Sequence, residues 1–197
     1  MKQTLGRTFL TAAALLSLAG AALAAGRPEH PAAAILWEYV GQVINGGAGG
    51  PSASAQFGNL VGSPCAAAER SLTFYTEATT TRTTSTGPLR IVDRVGTTSV
   101  YLPPAPGDFA SPETFRTGTL VQTSRLEQQV ILDTSTGSFT VLNVNTVSPG
   151  GTKAAGWTCP ELLRPGVRIR TELRGHLNAP GSAPTGWFGG FAELAQD

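Results

Sequence analysis

The amino-acid sequence predicts an all-β fold, a single antiparallel domain of about eight to ten strands, with a closed barrel favoured over a β-sandwich. Three observations carry this expectation. Apolar residues recur at every second position in one segment after another, the period of a half-buried strand. Glycine and proline, 24 and 14 of them, gather between those segments. Beyond the N-terminus helix signals are nearly absent, and the connections are mostly short enough for hairpins, which favours an up-and-down meander. No repeat at a fixed period suggests a solenoid or propeller.

The first strand is expected over Ile35 to Ile44, with Ile35, Trp37, Tyr39, Gly41 and Val43 on one face and Glu38 and Gln42 on the other. A Gly-Ser-rich run at 46–54 ends it, and Ala55 to Val61 follows as the second. Ser71 to Thr81 is the third, supported by its β-branched residues. Two short strands, Leu89 to Val95 and Thr97 to Leu102, are expected on either side of a bend or bulge at Gly96. The proline-rich stretch 103–112 reads as loop. Thr119 to Leu132 is long for one strand and should be bent or interrupted; it forms a hairpin with Ser138 to Val147 across the turn chemistry of Asp133 to Gly137. Val167 to Leu177 alternates most cleanly, setting Val167, Ile169, Thr171, Leu173 and Leu177 against Arg168, Arg170, Glu172, Arg174 and His176. Trp187 to Leu194 closes the series.

The first 24 residues have the layout of a secretory signal: a basic start with Lys2 and Arg7, an apolar stretch from about Thr8 to Ala19, and small residues at Ala22 and Ala24. The apolar stretch is shorter than the roughly 20 residues of a membrane-spanning helix. Cleavage after Ala24 is expected, leaving residues 25–197 as one domain in the periplasm or outside the cell, with no transmembrane anchor. Losing Lys2 and Arg7 from 14 basic residues leaves 12 against 13 acidic ones, a net charge of −1. That balance offers no footprint for nucleic acid. Cys65 and Cys159 both lie in this part, where export favours disulfides, and are expected to pair.

Little in the chain points to catalysis. The only histidines are His30 and His176, too few for a histidine-based metal site or triad, and no G-x-S-x-G elbow occurs. No metal and no cofactor are expected. Glu77, Glu127, Asp133, Glu172 and Glu193 lie in or beside strands and are the candidates for a facing acid-base pair, although charged outer faces are what any soluble sheet displays.

Two features suggest binding. The stripe Arg168, Arg170, Arg174 and His176 could engage the oxyanions of a sulfated or phosphorylated glycan, or protect an edge strand by charge. Trp37, Trp157 and Trp187, with Tyr39, could line a pocket in a barrel mouth for an apolar or sugar ligand. The dense threonines between Thr73 and Thr86 are accounted for by β propensity and solubility. The functional expectation is a non-enzymatic extracytoplasmic module that binds a small apolar or glycan ligand. A structural or surface-interaction domain of the envelope is the alternative, and a carboxylate-dependent hydrolase ranks third.

Overall fold

A computed structural model of the chain describes residues 35–46, 49–62, 71–149, 162 and 164–195. Eight antiparallel strands close into one barrel: β1 (Ile35–Asn45), β2 (Ala53–Val61), β3 (Leu72–Thr86), β4 (Leu89–Leu102), β5 (Thr119–Asp133), β6 (Ser138–Val147), β7 (Arg168–Leu177) and β8 (Gly186–Leu194). Each strand pairs with its neighbours in sequence, and β8 returns to pair with β1, so the order is an uninterrupted up-and-down meander. The segment 1–24, His30, Cys65, Trp157 and Cys159 lie outside the described residues.

The alternation that defines the strands also sorts the side chains. One row from every strand points inward, and Trp37, Tyr39, Leu60, Leu72, Phe74, Val100, Ile169, Leu173 and Phe188 make the barrel core. Tyr39 meets Phe74 edge to face, ring centroids 4.9 Å apart. The outward rows carry Glu38, Glu77, Arg125, Glu127, Arg170 and Arg174, all exposed. Charged outer rows of this kind differ from the apolar outer band of a barrel that spans a lipid bilayer. No helix among the described residues is long and apolar enough to cross a membrane.

A second, smaller core lies on the outer surface. The β4–β5 connection, with a 3-10 turn at Pro112–Arg116, folds back over β2 and β3, and the Thr73 hydroxyl donates to the Phe115 carbonyl at 2.9 Å. Phe57, 0 % exposed although it points out of the barrel, is covered by Phe115 at 5.4 Å and Phe109 at 6.5 Å between centroids. Phe109 also meets Trp187 at 5.3 Å.

Four local expectations are corrected. β4 runs unbroken through Gly96, which keeps regular register with Ala78 and Leu126. Glycine is required there by close approach: a β-carbon would sit 2.0 Å from the Glu77 carbonyl oxygen. The irregularities fall instead at Thr81 on β3 and at Val121 on β5, the long strand for which a bend was expected and which continues through that bulge from Thr119 to Asp133. Ile35 is 56 % exposed rather than inward, because the β1–β8 register slips between Ile35 and Trp37. Gln42, expected beside Glu38 on a solvent face, is only 3 % exposed, since it stands between Phe57 and Trp187 in the row that Phe109 covers. Finally, β7 is no edge strand, being paired to β6 on one side and β8 on the other.

Candidate functional site: a cup at one end of the barrel

One half of the barrel is filled by side chains, and the other holds an open cavity of about 520 Å³. Several large residues pack the filled half. Trp37, Leu60, Leu72, Val100 and Ile169 are almost fully buried, and Gln122 donates to the Leu162 carbonyl at 2.6 Å. Above them the interior turns polar. Gln56 and Gln128 exchange amide hydrogen bonds at 3.0 and 3.3 Å across the barrel. Gln128 also donates to Asn143 at 3.0 Å, and Asn143 donates to Thr171 at 2.7 Å. This amide belt links β2, β5, β6 and β7, and the cup opens above it towards the β1–β2, β3–β4, β5–β6 and β7–β8 turns.

The cup has two unlike walls. On the side of β5 to β8, Val130, Leu132, Phe139, Val141, Leu177 and Phe188 form an unbroken apolar surface. The opposite side, from β1 to β4, is mainly polar, with Asn45, Ser52, Gln56, Thr80, Arg90 and Arg94. Arg94 is the most elaborately held of these. Its Nη1 donates to the Ser54 hydroxyl at 3.1 Å and to the Gln128 side-chain oxygen at 3.3 Å. Nη2 donates to Asn45 at 3.0 Å, and Nε reaches the Thr80 hydroxyl at 3.4 Å. Burial shifts the guanidinium pKa downward, since the charged form has lost part of its water. No aspartate or glutamate lines the cup.

The residues singled out from sequence lie elsewhere. Trp37 and Tyr39 are in the filled half, and neither lines the cup. Arg168, Arg170, Arg174 and His176 face outward on β7, as the alternation requires. Arg174 holds Glu172 at 2.8 Å, and the His176 ring lies 2.6 Å from the Leu177 carbonyl oxygen. A shallower hollow of about 300 Å³ on the outer wall brings Arg170 together with Glu127, Glu172, Glu193 and Phe191. Three of the five candidate carboxylates therefore converge there, but Glu127 is occupied by Arg125 at 2.9 Å and Glu172 by Arg174. Glu77 is on another face, held by Arg116 at 3.4 Å, and Asp133 accepts from Ser135 in its turn. Among the described residues no three His, Cys, Asp or Glu side chains converge as a metal site.

Sequence reasoning missed Arg94, Arg90, Gln56 and Gln128. A signal existed: Arg90, Val92, Arg94, Thr98 and Val100 share one parity, and only an unbroken β4 carries that parity across Gly96 into the barrel interior. In comparisons with known proteins, no family model, curated protein or solved structure matches the chain.

Proposed function

We propose that this protein is a non-enzymatic binding module that holds a small, largely apolar molecule in the open end of its barrel. The observation that carries the reading is the cup itself, about 520 Å³ with one continuous aliphatic and aromatic wall. Ligand pockets have this size and composition, a mainly apolar lining with a few placed polar groups. The wall of valine and leucine favours an apolar body over a glycan, whose hydroxyls would lose water there without partners. The basic stripe on β7 is not part of this site. Lys2, Arg7, the apolar stretch after them and Ala24 support export, so the binding would take place outside the cytoplasm; fractionation of cells expressing the full chain tests this.

An uncharged solvatochromic dye tests the binding. Its emission is expected to shift to the blue and saturate with the protein, and Val130→Phe, which fills the cup from its apolar wall, should weaken the dye without unfolding the barrel. Dye emission that never changes would favour the alternative, a structural or surface-interaction domain that makes no use of the cup.

A further inference from the structure

We propose that the occupant of the cup is a monocarboxylate amphiphile, an apolar chain or ring system ending in one carboxylate that pairs with Arg94. This inference rests on the cup being the binding site and adds the chemistry of its ligand. The first support is a missing counter-charge. Every hydrogen bond that Arg94 makes goes to a neutral oxygen, of Thr80, Ser54, Gln128 or Asn45. No ion pair of Arg94 occurs among the described residues, and none of the cup's lining is acidic. An arginine cannot shed its proton, so a partly desolvated guanidinium stays charged at a cost that an incoming carboxylate repays.

The second support is orientation. The four neutral acceptors hold the guanidinium in one place, and with five N–H donors on the group one remains for a further acceptor. On the strands that follow β4 round the barrel, Val130 and Val141 continue through Leu132, Phe139 and Leu177 towards the mouth, so an apolar body extends outward along them. The third support limits the head group to one charge. Arg90, the other cation of the cup, stands four residues along β4, about 13 Å away at the strand repeat, and is exposed. Arg90 therefore attracts the anion to the mouth, while Arg94, fixed by its four acceptors and with one N–H left, receives a single carboxylate.

The test is displacement of the uncharged dye from the purified protein at neutral pH by dodecanoate and by dodecanol, which share a chain and differ in charge. Dodecanoate is expected to bind about tenfold or more tightly than dodecanol, the range of a hydrogen-bonded charge pair. Arg94→Gln should bring the two affinities together, mainly by weakening dodecanoate. Equal affinities in the unaltered protein overturn the inference without any variant, and so does a preference that survives Arg94→Gln. Dodecanol binding better than dodecanoate, or neither displacing a bound dye, overturns the carboxylate assignment and leaves the cup as a binding site. Failure of the dye, the acid and the alcohol alike overturns both.

Discussion

Tyr39 shows how a single buried group links the core to pH. It lies inside the barrel against Phe74, and burial raises its phenol from the ordinary value of 10.0 to about 12. A group whose pKa is higher folded than unfolded contributes stability that is complete below the unfolded value and is lost as pH rises through the folded one. The window is therefore pH 10 to 12, and a shift of about two units corresponds to about 2–3 kcal/mol. Tyr75, under the outer loop, is raised too, first by burial and then by the nearby Glu113 carboxylate, and acts in the same direction. Urea midpoints measured at pH 8 and pH 11 should differ markedly for the native chain. The difference should shrink in Tyr39→Phe, which has no proton to lose. An equally steep alkaline loss in that variant would place the titrating group elsewhere.

Among the elements, the β4–β5 connection does more than its sequence suggests. The stretch 103–112 is loop, as its prolines predict, and with the 3-10 turn at Pro112–Arg116 it carries a satellite core in which Phe115 packs on Phe57 at 5.4 Å and on Phe109 at 4.8 Å. Phe115→Ala should cost about 3–5 kcal/mol by leaving a cavity over the barrel wall, measured as a lowered urea midpoint. Leu142→Ala, at a site 39 % exposed, should stay within about 0.5 kcal/mol. Strand existence was legible wherever one face is buried and the other solvated, as in β6 and β7, because alternation is a local property. It misled at Gln42, where a distant loop buries the outer face, and at Gly96, where close approach of strands resembles a break. The cup was illegible for a related reason. Its lining comes from strands far apart in sequence, and whether Asp93 or Arg94 faces the interior is settled by the register of β4 with its neighbours. Asp93 indeed points outward, to Arg82 at 2.6 Å and Gln129 at 3.1 Å.

For the whole molecule the decisive contact is the seam between the first and last strands. β1 and β8 pair from Ile35 with Glu193 to Val43 with Gly186, and beyond the seam Thr185 receives the Asn45 N–H at 2.9 Å. Closing the sheet leaves no edge strand, and it also encloses both the core and the cup. A chain ending at Leu177 would lack Phe188 and Ala192 from the core and would expose β1 and β7 as two long edges, ready templates for pairing with other chains. It should lose cooperative unfolding and aggregate. Chain order, by contrast, should matter little. Because β1 and β8 are antiparallel, Ile35 and Leu194 lie at the same end of the barrel, opposite the mouth of the cup. A linker of about five residues between them, with new ends opened in the exposed 134–136 turn, costs little loop entropy and keeps every strand pair. This permuted chain should unfold in one cooperative transition and still bind the dye. A truncated chain that unfolds as cooperatively as the native one would show that closure is not what holds the barrel, whereas failure of the permutant alone would assign that role to the β5–β6 turn.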